Sequence, residues 1–175
     1  MAKRKTWREK LADNKGFPKI AEIMPNMSPR WGTGTFVIPA PAEVDEIMRR
    51  VPKGKLITIN EIRALLATKH RTTIACPITT GIFAWIAANA AQEEADAGKT
   101  RITPYWRTLK TGGLLNEKYP GGISNLKKLL AAEGHKVVQR GNKYYVVDYQ
   151  KSLVTMSLPD AMPATPPPRM PVSTR

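Results

Sequence analysis

Two helical stripes set one after the other near the middle of the chain constrain the fold most. Thr58, with Glu61 three residues on, makes a capping box, and Ile62, Leu65 and Leu66 follow as an apolar stripe that fades near Thr68. Pro77 suits the first turn of the next helix. Beyond it Ile78, Ile82, Trp85, Ile86 and Asn89 fall on one face, and the helical pattern continues to Gly98. Glu93, Glu94 and Asp96 make the far end of that helix acidic, so that end faces away from phosphate. Two helices joined by a short connection, the second opening on the small polar residues Thr79 and Thr80, have the spacing of a helix-turn-helix.

The flanking segments fill out this plan. Residues 1–41 read as a basic, proline-punctuated extension, with a short helix over residues 6–14 and a strand at Thr35-Phe36-Val37-Ile38. Such an arm either wraps DNA or packs on the core. Val44, Ile47, Met48 and Val51 mark a one-faced helix that Pro52 and Gly54 end. A last core helix carries Leu126, Leu129 and Leu130, with Ser124 as the expected cap and Gly134 at its end. Residues 135–151 read as a hairpin turning at Arg140-Gly141-Asn142-Lys143, a wing with a basic tip. Residues 152–175, with Pro159, Pro163, Pro166, Pro167, Pro168 and Pro171, read as a disordered tail. The fold class expected is mainly α with short strands: a winged-helix-like helix-turn-helix domain at residues 42–134 with a C-terminal β-hairpin.

Charge narrows the partner. Lys and Arg number 28 against 14 acidic residues, a formal net charge of +14, which favours a polyanion. One cysteine, Cys76, excludes an internal disulfide and a cysteine-rich zinc site, and two histidines, His70 and His135, are too few for a histidine metal cluster. No apolar run approaches the roughly 20 residues of a membrane span, and the basic N-terminus lacks the apolar stretch of a secretory signal. A cytoplasmic or nucleoid-associated monomer without cofactor or metal is expected.

The motifs then give a resemblance. Gly54-Lys55-Leu56-Ile57-Thr58 precedes the first helix, and Pro104-Tyr105-Trp106-Arg107, Tyr119-Pro120-Gly121-Gly122 and Leu129-Leu130-Ala131-Ala132-Glu133-Gly134 follow the second. This order resembles the C-terminal domain of the alkylguanine-DNA alkyltransferases, whose acceptor motif reads Pro-Cys-His-Arg. Tyr105 stands at the cysteine position and Trp106 at the histidine position. Without a thiolate there is no nucleophile for alkyl transfer. The match is therefore to the alkyltransferase-like proteins, which keep the DNA-binding fold and lack the acceptor. It spans residues 42–134.

The resemblance implies a non-enzymatic binder of double-stranded DNA that recognises alkylated guanine and hands it to repair proteins; the alternative is an architectural or regulatory DNA binder. Its DNA-contacting positions map to Ile59, Thr79, Thr80, Gly81, Arg107, Tyr119, Gly121 and Gly122. The lesion pocket maps to Pro104, Tyr105, Trp106 and Glu133. Thr80 stands where the family places an arginine finger, and Ile59 where a tyrosine pushes on the target phosphate. Read from the residues alone, Thr79 is equally a helix cap and Ile59 equally core. Tyr105 and Trp106 either stack on a flipped base, plug the pocket or fill the core.

Overall fold

A computed structural model describes residues 2–156. Its helices are α1 (Trp7–Ala12), α2 (Ser28–Trp31), α3 (Pro41–Arg49), α4 (Ile59–His70), α5 (Pro77–Asp96), α6 (Gly122–Ala132) and α7 (Tyr149–Ser152). Its strands are β1 (Lys19–Glu22), β2 (Thr35–Ile38), β3 (Ile57–Thr58), β4 (Ile74–Ala75), β5 (Thr108–Leu109), β6 (Val137–Arg140) and β7 (Lys143–Val146). The fold is mainly α, with strands of two to four residues.

Helix α5 is the element around which the others assemble. Its inward face is built from Thr80, Phe83, Ala84, Ala87, Ala88 and Ala91, at the spacing of one helical stripe. Alanine carries almost no bulk, so α1, α3 and α4 can all pack against it. The larger apolar residues of the other stripe are left outward near the start of the helix, where Ile78 is 65% and Ile82 46% exposed. From α3 come the buried Val44, Ile47 and Met48, from α4 Ile62 and Leu66, and from α6 Leu126 and Leu130.

Residues 1–41 are woven into this core instead of extending from it. Helix α1 starts on a capping box in which Thr6 Oγ1 accepts from Glu9 N (3.1 Å) and the Glu9 carboxylate accepts from Thr6 N (2.7 Å). Trp7 meets Trp85 of α5 edge to face, ring centroids 4.8 Å apart, and Arg8 N donates to Glu93. Strand β2 pairs antiparallel with β1 and parallel with β4, so the arm completes a sheet that begins between α4 and α5. The same residues that read as breaks in the sequence are turns between elements that each find a partner.

The C-terminal end differs from expectation in the same direction. The β6–β7 hairpin turns at Gly141 and Asn142 as its spacing predicts, with Arg140 opposite Lys143. It is docked, because Leu115 N donates to Tyr144 O and Val146 is 3% exposed. The chain does not leave the fold at Ser152 either. Leu153 bridges Leu56, and Val154 N donates to Leu56 O at 2.8 Å. The proline-rich stretch expected to be disordered lies, from residue 157 on, outside the described residues.

Candidate nucleic-acid interface

Strands β3 and β5 run parallel, Ile57 opposite Thr108, and so bring the start of α4 beside the turn that carries the Pro-Tyr-Trp-Arg motif. At the head of α4 the Glu61 carboxylate accepts from Thr58 N (2.8 Å), holding the helix start. Ile59 is half-buried and packs against the core. The link to α5 carries Arg71 in a left-handed conformation (φ 55°) and then β4.

At the start of α5 the structure separates the three expected DNA contacts. Thr80 is fully buried, and its hydroxyl donates to Cys76 O at 2.7 Å, so it is a core residue and cannot reach a groove. The reason is helical phase: Thr80 lies on the alanine face, with Phe83, Ala84 and Ala87. Thr79 is half-buried, and its Oγ1 has no partner among the described residues. Gly81 faces outward between Ile78 and Ile82. The signal for this outward pair in the sequence is the alanine run, which marks the opposite face as the packed one.

Gly81 has no reason to be glycine that the fold supplies. Its φ is an ordinary helical one, and a Cβ built there would meet nothing within 4 Å. A mid-helix glycine costs about 0.5–1 kcal/mol relative to alanine. Gly81→Ala is therefore expected to raise stability by about 0.5–1 kcal/mol, or roughly 1–4 °C in Tm for a chain of this size. If DNA approaches the bare backbone here, the same change weakens duplex binding. Thermal unfolding and a DNA titration on one preparation check both signs, and a stabilised variant with unchanged affinity would remove this face from the interface.

Side-chain hydrogen bonds hold the turn that carries the Pro-Tyr-Trp-Arg motif. Pro104 is buried and precedes the short helical turn Tyr105–Arg107. Tyr105 is 1% exposed. Its hydroxyl donates to Gln92 Oε1 of α5 (3.0 Å) and accepts from Asn125 Nδ2 of α6 (3.0 Å), so the ring ties the two helices together. Trp106 and Tyr119 meet it edge to face at 5.4 and 6.2 Å between centroids. Burial pushes the Tyr105 phenol above its ordinary pKa, and that of the fully buried Tyr119 higher still. Tyr105 thus fills the interior between α5 and α6 with a buried aromatic ring.

Glu133 is the hub beside it. Helix α6 ends in a Schellman turn, with His135 N donating to Leu130 O and Gly134 N to Ala131 O, and this aims Glu133 inward. Its carboxylate accepts from Arg107 Nε (2.8 Å), from Gly54 N (2.8 Å) and from the Trp106 indole N–H. Arg107 Nη1 also donates to Val51 O at 2.7 Å. Burial raises the Glu133 pKa, but the bonds from Trp106, Gly54 and Arg107 outweigh it and hold the carboxyl below its ordinary value. Arg107 is committed to this network through Nε and Nη1, and its side chain is largely buried.

The loop before α6 closes the site. Tyr119 is buried, while Gly121 is exposed and Gly122 half-exposed. Gly121, at φ 76°, caps α6 in place of Ser124; a Cβ on it would lie 2.5 Å from that of Asn125. Asn125 Nδ2 also donates to Pro120 O, and Trp85 Nε1 to Lys118 O, so the loop is pinned from both sides. The four expected pocket residues, Pro104, Tyr105, Trp106 and Glu133, therefore lie together, with the Tyr105 ring buried beside Trp106. Cys76 is buried at the head of α5.

No protein-family model and no curated protein matches the chain. It is similar to S. pombe Atl1, in a crystal structure of its complex with damaged DNA containing O6-carboxymethylguanine, at 16% identity and a TM-score of 0.49, over 66% of this chain and 94% of that one. It is also similar to S. pombe ATL in complex with DNA, at 17% identity, the same TM-score and the same coverage. Both likenesses are distant.

Proposed function

We propose that this protein is a non-enzymatic DNA-binding protein of the alkyltransferase-like class. In this reading α4 and α5 form the helix-turn-helix of a winged-helix-like domain and the β6–β7 hairpin its wing. The observation that carries it is convergence. Motif blocks spread between Gly54 and Glu133 meet in one network around Tyr105, with an aromatic ring where the acceptor would be. The formal charge of +14 supplies the attraction to phosphate.

Two finer readings divide at the pocket. Recognition of alkylated guanine, as a signal to repair proteins, needs a base to stack on the half-exposed Trp106 under the Gly121-Gly122 loop. Architectural or regulatory binding needs no pocket, and it is favoured by the burial of Tyr105 and of Thr80.

Titration of plain and alkylguanine duplexes tests both. Stacking contributes about 1–3 kcal/mol per base, so lesion recognition requires roughly tenfold tighter binding to the modified duplex, lost in Trp106→Ala. Equal affinities support the architectural reading, and no binding to either duplex removes the whole proposal. Intact-mass measurement after incubation with alkylguanine DNA is expected to show no added alkyl group; a stoichiometric adduct, on Cys76 or elsewhere, would make the protein an enzyme.

A further inference from the structure

We propose that the groove between α6 and the β6–β7 hairpin holds a DNA phosphodiester backbone, as a second contact beside the outer face of α5. The inference rests on the DNA-binding reading above and adds a surface to it. A cavity of about 310 Å³ is lined by Ile123, Ser124, Lys127 and Tyr144. Along the same Ile123–Tyr144 rim a smaller one, about 100 Å³, adds Lys110 and Lys143. On the other side of Lys127 a third, about 420 Å³, adds Lys136. The three join through shared residues into one trough with lysines along it.

The chemistry of the trough fits a strand of linked phosphates better than a single anion. Lys127, Lys136 and Lys143 are exposed, Lys110 is half-buried, and none of the four has an ion-pair partner among the described residues. One carboxylate, Glu117, lies on the lining. Lys127 Nζ sits over the Tyr144 ring, 5.5 Å from its centroid, which positions the ammonium at the groove while its partner ring stays apolar. Several ammonium groups bordering an apolar and aromatic floor match a polymer whose charges repeat and whose sugars between them are weakly polar. Lys127 on α6 and Lys143 on β7 have their backbones held by those elements. The loop that leads into α6 is anchored to α5, where Trp85 Nε1 donates to Lys118 O.

The test is a charge reversal with a matched control. Lys127→Glu/Lys143→Glu is expected to weaken duplex binding about tenfold or more and to flatten the slope of log K against log salt by about 2. Lys15→Glu/Lys19→Glu removes the same charge from exposed positions elsewhere and is expected to change that slope little. Lys127→Arg/Lys143→Arg is expected to keep the affinity. All four positions are exposed, and unchanged thermal unfolding confirms that the variants fold. If the groove variant behaves like the control, the inference is overturned and the DNA-binding reading stands. If the wild-type protein itself binds duplex without salt dependence, both fall.

Discussion

Raising the salt from about 50 to about 200 mM is expected to weaken duplex DNA binding roughly 500-fold. The argument counts cations. Of the 28 Lys and Arg residues, Arg107 is committed to Glu133, Arg49 to Asp45, Arg50 to Glu46 and Lys69 to Glu43, so these contribute little to the outer field. The exposed cations around α6 and the hairpin remain, Lys127, Lys128, Lys136, Arg140 and Lys143, none of them ion-paired among the described residues. If about five of them reach phosphate, the slope of log K against log salt lies near −4.5, and a fourfold rise in salt then gives the stated loss. Fluorescence anisotropy across a salt series reads it directly. A flat response would show that the charge serves another purpose, and would favour a protein partner.

Glu133→Gln is expected to destabilise the fold by about 3–5 kcal/mol, because it leaves the Arg107 guanidinium buried without its counter-charge. The Glu133 side chain is 5% and that of Arg107 14% exposed, so water cannot take over. Glutamine also offers one acceptor oxygen where three donors converge, from Arg107, Trp106 and Gly54. For a chain of this size the loss corresponds to about 6–20 °C in Tm. Adding Arg107→Met is expected to restore part of it, since removing both charges removes the unpaired one. Acid does the same thing more gradually. The folded pKa of Glu133 is lowered, so its contribution is present above the ordinary carboxylate range and is lost as pH falls through the folded value. Denaturant unfolding of the single and double variants measures the coupling, and a loss under about 1 kcal/mol for Glu133→Gln would show that the network is solvent-screened.

Much of the architecture was legible in the residues. The stripe Val44, Ile47, Met48 lies on α3, that of Ile62 and Leu66 on α4, and Leu126 and Leu130 on α6, each buried as its period predicts. The Gly141-Asn142 turn appeared in register. These features are local: a helical or alternating period, a cap or a turn residue is decided within a few positions of chain. That residue 105 is a tyrosine and not a cysteine is likewise a matter of one residue.

Tertiary structure decided the rest. Nothing in the pattern of α5 says that its alanine face is the inner one, because periodicity weighs Ile78 and Ile82 above Ala84 and Ala88; only the approach of α1 and α3 makes small residues the packed ones. That choice turned Thr80 inward and left Gly81 bare at the surface. The N-terminal segment, broken by prolines, became part of a sheet because β4 offered it an edge. Ser124 lost the cap to Gly121 because Asn125 packs against it too closely for any side chain. Sequence alone determined which residues form the Pro-Tyr-Trp-Arg turn and that no cysteine is among them. Which of those residues face the core and which face a partner depended on contacts between segments far apart in the chain, and those exist only once the helices have packed.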